Sequence, residues 1–198
     1  MSEAKPEAKK PEAAPSDAWT KWVALSTTLL AVAAAFSTLK GGSYSTQTQL
    51  ATVSASNKWS YFQSKSLKQT ARETEREIIT TIAASAPNAE AKAVALASIE
   101  KAEKEIKRYE AEKSDIKLDA ETLDAKASYC QARGGNFGMA IMFLQIAIML
   151  SAIAALMKKK AFWLIGLTAG TIGIGYLTYA WALYPDFTPP AKKVAVAK

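Results

Sequence analysis

The chain has 198 residues, a formal net charge of +7, no histidine and a single cysteine. Without histidine there is no imidazole general base, no triad built on one and no ordinary zinc site, and a lone Cys130 forms no internal disulfide. The stretch 40–136 holds 15 Lys/Arg against 13 Asp/Glu, a mixed, solvated surface and not a stripe for nucleic acid.

Apolar residues gather near 19–39, 137–157 and 161–184. Each block is about as long as a bilayer core is thick, roughly 20 residues, and apart from Lys21 each is free of charge inside. The expected fold class is an all-α membrane protein. It has three transmembrane helices, with a long antiparallel helical (coiled-coil) hairpin inserted between the first and the second.

Residues 1–17 are rich in Ala, Lys, Glu and Pro, too poor in apolar side chains to offset the entropy of ordering, and predict a disordered tail. Ser16 or Asp17 would cap the helix that follows. The first transmembrane helix is expected over 18–40, with Trp19 and Trp22 at the headgroup level. Ala33-Ala34-Ala35 also fits a signal-peptide cleavage site. The long acidic-and-basic leader and the helical pattern that resumes soon afterwards favour a retained span.

The extramembrane helical hairpin is expected over 41–135, bounded by Gly41-Gly42 and Gly134-Gly135. Its arms are 43–85 and 89–133 and its turn is Ala86-Pro87-Asn88. Arms of about 45 residues would reach roughly 60–70 Å at 1.5 Å per residue. In the first arm Leu50, Val53, Leu67, Ala71, Thr74 and Ile78 predict a weak apolar seam, interrupted by Asn57, Ser60 and Ser64. Trp59, Tyr61 and Phe62 cluster near the interruption. They read either as packing on the other arm or as a docking patch, since aromatic residues favour interfaces.

The second arm has the cleanest period. Ala95, Ile99, Ala102, Ile106, Tyr109, Lys113, Ile116, Ala120, Leu123, Ala127 and Cys130 alternate four and three residues apart, the mark of a left-handed coiled-coil seam. Cys130 reads as a small apolar member of that seam, or as a site for an intermolecular bridge. Glu100–Lys104 and Glu103–Lys107 decorate the solvated faces at helical spacing. Ile99, Ile106, Tyr109, Ile116 and Leu123 are candidate contact residues.

The second transmembrane helix is expected over 136–157. Its one amide, Gln145, is expected to hydrogen-bond to a neighbouring helix, with a functional pathway as the alternative. A short basic loop, Lys158-Lys159-Lys160, precedes the third transmembrane helix, 161–184. Gly166 and Gly170, four apart, allow another helix to come close, and Trp163, Tyr179 and Trp181 suit the membrane interfaces. A flexible basic tail is expected over 185–198. The lysine loop places the N-terminus in the cytoplasm and the hairpin and C-terminus opposite.

The first span WVALSTTLLAVAAAF, the following WSYFQSKSLKQ, the charged alanine-rich helix and the closing pair split by KKKAFW together resemble a bacterial family, domain of unknown function 4337 (DUF4337). The most specific stretch holds Trp59, Tyr61, Gln63, Lys65 and Lys68. The resemblance implies a bacterial membrane protein with a helical insert, for which the inner (cytoplasmic) membrane is expected, and it implies no activity, cofactor or catalytic residue. Members often carry histidines at the start or before the second span, and this chain has none.

The function expected is therefore non-catalytic: a membrane scaffold that self-associates or holds a partner through the hairpin. The alternative is an accessory subunit of a larger membrane complex, such as a transporter, an energy-converting enzyme or an envelope machine. The lipid bilayer and either further copies or foreign subunits are the expected partners, with no cofactor or metal. An enzyme or transporter is disfavoured because no ionisable residue lies inside a span. Glu73, Glu75 and Glu77 are spaced so that they do not converge.

Overall fold

The computed structural model describes residues 18–189. The tail expected over 1–17, its capping residues Ser16 and Asp17, and positions 190–198 of the basic tail lie outside the described residues. Among the described residues there is no strand. The elements are α1 (Ala18–Ala84), α2 (Ala89–Met157) and α3 (Lys160–Thr178), closed by a single π turn, Tyr179–Leu183. All three helices are long and apolar enough to cross a membrane. Gly41, Gly42, Gly134 and Gly135 are all helical, and no glycine has a positive φ, so none of the four interrupts its helix.

Contacts divide the described residues into two units, 18–41 with 135–184, and 42–134 with 185–189. The first unit packs small residues around a narrow core of Leu30, Leu144 and Ala147, flanked by Ala33, Ala34, Ile148 and Ala169. α3 reaches that core through its glycines. A Cβ on Gly166 would meet the Ala147 carbonyl oxygen at 3.1 Å, one on Gly170 would meet Leu30 at 2.9 Å, and one on Gly173 would meet Leu144 at 2.9 Å. Gly166 and Gly170 thus serve contacts inside the chain, and Gly173 extends the same face. The buried hydroxyls of Ser37 and Ser151 donate to the carbonyls of Ala33 (2.9 Å) and Ala147 (2.8 Å). Ser26, Thr27 and Thr28 bond back in the same way. This removes the cost of unpaired hydroxyls in an apolar stretch.

Little of the apolar surface is covered. Only 17%, 28% and 17% of the apolar windows of the three helices are buried. At about 25 cal/mol per Å², leaving such faces in water would be costly. The neighbouring helix expected for Gln145 is not one of this chain's own. Gln145 does not pack against another helix of the chain but faces outward, because α1 and α3 occupy the opposite side of α2, where Phe137, Ala140, Leu144, Ala147, Ser151 and Ala154 are buried.

The connection from α2 to α3 is short. Lys158 adopts a left-handed φ of 50° and ends α2, and Lys159 is extended before α3 begins at Lys160. At the far end Tyr184 N–H donates to the Tyr179 carbonyl at 2.8 Å, the longer reach of a π turn. Tyr184 itself is extended, as Pro185 requires of the residue before it.

In the second unit α1 stops because Pro87 disfavours helical backbone at Ala86. α2 restarts at once because Asn88 Oδ1 accepts the Ala91 N–H at 2.8 Å. An N-cap of this kind is worth about 1 kcal/mol, and Glu90 suits the positive end of the helix dipole. On α2 every member of the four-and-three series from Ala95 to Cys130 is buried or half-buried. On α1 the expected seam is corrected. Leu50, Val53, Leu67, Ala71, Thr74 and Ile78 are all exposed. The inner face is the neighbouring stripe: Tyr44, Thr48, Ala51, Ala55, Lys58, Phe62, Lys65, Gln69, Arg72, Arg76, Ile79 and Ala83, each buried or half-buried.

Gly173→Val tests the glycine face. The new side chain meets Leu144 and the Ala140 carbonyl oxygen (3.2 Å), so a loss of about 1–3 kcal/mol is expected from overpacking, read as a lower thermal midpoint in detergent. Gly175→Ala, whose Cβ meets nothing within 4 Å, should leave the midpoint unchanged or raise it.

Candidate interaction surface

The inner stripe of α1 is polar because it carries a charge ladder. Lys58 Nζ meets Asp119 Oδ2 at 2.8 Å, Lys65 Nζ meets Glu112 Oε2 at 2.5 Å, and Arg72 Nε meets Glu105 Oε2 at 2.7 Å. The three cations are seven residues apart, and so are the three acids, taken in reverse order. Each step of two turns up α1 is matched by an equal step back along α2. Between the rungs Lys113 Nζ donates to Gln69 Oε1 at 3.2 Å, and Gln69 Nε2 donates to Glu73 Oε1 at 2.8 Å. This explains how one lysine sits in the otherwise uncharged α2 series.

Aromatic rings fill the space around the rungs. Trp59 Nε1 donates to Asp124 Oδ2 at 2.8 Å, and its ring meets Phe62 edge-on at 5.7 Å. Lys113 lies over Phe62 at 5.1 Å, and Lys65 lies between Tyr61 and Tyr109 at 5.4 and 5.3 Å. Such contacts favour a cation over an aromatic face. Trp59 and Phe62 are half-buried with partners inside the chain, while Tyr61 is exposed. Tyr109 and Ile116 are buried, and Ile99, Ile106 and Leu123 are half-buried. Cys130 is 2% exposed and its Sγ lies 3.9 Å from Gln47 Oε1, a seam position shielded from reagents.

The hydrogen bond to Glu112 raises the Lys65 pKa, and the reciprocal bond to Lys65 holds the Glu112 carboxyl below its ordinary value. Glu75, then Glu105, raise Arg72. Partly exposed ion pairs add little net stability. Their effect is on pairing, because a slip of one heptad would leave a charge unmatched at each end of the ladder.

Of the expected interfacial residues, Trp19 and Trp163 are half-buried, and Trp22, Tyr179, Trp181, Lys158, Lys159 and Lys160 are exposed. Trp163 Nε1 donates to Ser26 Oγ at 3.1 Å, and Trp181 meets Phe36 edge-on at 5.4 Å. Among the described residues no three His, Cys, Asp or Glu side chains stand close enough together to hold a metal ion. Apolar periodicity does not reveal the ladder residues. Their signal was the matching seven-residue spacing of Lys58, Lys65 and Arg72 with Glu105, Glu112 and Asp119.

The sequence profile of one family, Domain of unknown function (DUF4337), matches residues 19–183. The chain belongs to that family. The match takes in both units of this DUF4337 chain, with the ladder, the aromatic cluster and all three apolar stretches. Among curated proteins and among solved structures, nothing matches the DUF4337 chain.

The ladder makes the second unit pH-dependent at both ends. Glu112, whose carboxyl is depressed, contributes stability above the ordinary value near 4.3 that is lost as pH falls through its lower folded value. Lys65, whose pKa is raised, contributes stability below about 10.4 that is lost as pH rises through its higher folded value. Protection of the amides of residues 58–72, taken as exchange relative to the intrinsic rate at each pH, should therefore fall in acid and again in strong alkali. Glu112→Gln should shrink the acid step, and an unaltered acid profile would show that this rung carries no linkage.

Proposed function

We propose that this DUF4337 chain is a non-catalytic integral membrane scaffold of the bacterial inner membrane. Three spans hold it in the bilayer, and the polar stretches between the first two pair as a coiled-coil hairpin that self-associates or holds a partner. The N-terminus is cytoplasmic, and the hairpin and C-terminus face the periplasm, because a short Lys158–Lys160 loop is retained inside. Uncovered apolar faces on helices of spanning length support the anchoring, since lipid covers them at no cost.

The observation that carries the scaffold reading is the outer stripe of α1. Leu50, Val53, Leu67, Ile78 and Ile82 lie uncovered, Leu67 at 73% exposure, on a stretch too polar to sit in lipid. Leu50, Val53, Asn57, Ser60, Ser64, Leu67, Ala71, Thr74 and Ile78 alternate three and four residues apart, the period of a surface that receives another helix. The same stripe favours a second reading, an accessory subunit whose hairpin clamps part of a larger membrane complex.

Mild-detergent extraction followed by mass measurement separates the two. A particle of this chain alone supports self-association, and a fixed ratio with other chains supports the subunit. Leu67→Glu with Ile78→Glu should release the contact in either case, and an unchanged mass would remove the stripe from the interface. Trp59→Ala with Phe62→Ala should loosen the pairing of the arms and leave the assembled mass as it was. Because Cys130 is shielded, sidedness is read from a cysteine placed at exposed Ser114 in a Cys130→Ser background. Labelling from the cytoplasmic side alone would reverse the orientation.

A further inference from the structure

The apolar stretch of α2 has a second periodic face, distinct from the one that packs on α1 and α3. Gly138, Met142, Gln145, Met149, Ala152 and Leu156 alternate four and three residues apart, and all six are exposed. An apolar stretch that faces only lipid has no need of a polar side chain, and this face has one, Gln145, near its centre. A small residue lies seven positions to either side of Gln145, and a methionine flanks it three before and four after. Nothing in the chain lies within 4 Å of a Cβ on Gly138, so no contact inside the chain requires a glycine there.

We propose that a second copy of this chain docks on this face, with the two Gln145 amides paired across a two-fold axis. The inference rests on the membrane reading above. In hydrocarbon an unpaired amide is costly, and a polar side chain on a span is satisfied by a neighbouring helix. The primary amide carries one acceptor and two donors, so two identical amides satisfy each other reciprocally. Copies inserted by one route lie parallel, which brings Gln145 to the same depth in both. The 3.5-residue period gives the left-handed crossing of about 20° usual for membrane helices. Gly138 and Ala152 let the backbones approach, and a single polar position in such a seam fixes its alignment. Lipid as the sole occupant would leave the amide unpaired, and a foreign helix would have to supply a matching donor and acceptor at that depth.

The test uses the full chain in native membranes with Cys130→Ser. Met142→Cys and Met149→Cys should each give a disulfide-linked dimer under mild oxidation. Leu29→Cys and Leu164→Cys, exposed on other helices, should not. In phosphatidylcholine vesicles Gln145→Leu should weaken dimerisation about 3- to 20-fold, the range of single interhelical hydrogen bonds, measured by energy transfer on dilution. Gln145→Asn should retain most of the affinity. No dimer at 142 and 149, equal dimer at the control positions, or an adduct with a different chain overturns the proposal. A parallel alkaline carbonate wash keeps the two readings apart. Protein released by the wash refutes the membrane reading, whereas protein that stays with the membranes without cross-linking refutes this interface alone.

Discussion

Opposite charges repeated every seven residues on two facing helices govern how the polar unit is built. Once Lys58, Lys65 and Arg72 have turned toward Asp119, Glu112 and Glu105, the rotation of α1 about its own axis is fixed. Leu50, Val53, Leu67 and Ile78 must then lie on the outside. An ordinary amphipathic helix turns its aliphatic residues inward and its charges out. Here α1 does the reverse, and the choice is made by the partner. α2 presents acids beside its apolar series at the depth where α1 presents cations, and Tyr61, Phe62 and Tyr109 give the lysines flat surfaces to lie on. The ion pairs add little stability of their own, and their effect lies in selecting one alignment from several that bury similar alanine-rich area.

The apolar unit solves a different problem by different means. Gly166 and Gly173 bring α3 so close to α2 that the carbonyl oxygens of Ala147 and Ala140 lie 3.1 and 3.2 Å from where a Cβ would stand, and Gly170 leaves room for the end of the Leu30 side chain. Where lipid is the solvent, apolar burial between helices gains little over contact with lipid tails, and close packing supplies the attraction instead. The hydroxyls of Ser37 and Ser151 bond to their own helices, and Trp163 N–H finds Ser26. Gln145 stands apart among these polar groups because its face is turned away from the other two helices.

How much of this was readable in advance follows from what a periodic reading detects. The α2 series stood out because small and aliphatic residues recur among charged ones, and all of its members lie inward. The inner stripe of α1 did not stand out, because its apolar members are few and interleaved with Lys58, Lys65, Gln69, Arg72 and Arg76. Its more hydrophobic neighbour stripe therefore reads as the seam. Pairing acids and bases by heptad, and not only apolar residues, would have found it. The glycine face was half visible, since Gly166 and Gly170 are four apart and catch the eye, while Gly173 continues the face at a spacing of three. The direction of Gln145 was not readable at all. Along α2 almost every neighbour is apolar, so composition gives no contrast between the inward and outward sides, and only the placement of α1 and α3 decides.

The two uncovered stripes obey one period but answer to different forces. The stripe on α1 faces what the proposed reading takes to be water, where covering Leu67 and Ile78 gains free energy in proportion to the apolar area removed, with little demand on the partner's exact shape. The stripe on α2 faces what the proposed reading takes to be lipid, where area alone gains nothing and an amide and two small residues must supply both attraction and selectivity. A tolerant contact in water suits a surface that meets another protein, and an exacting contact in lipid suits one that meets a copy of itself. The asymmetry follows from the solvents and from where the sequence places Gln145: the contact proposed on α2 must match in shape and polarity, and one on α1 need only cover apolar area.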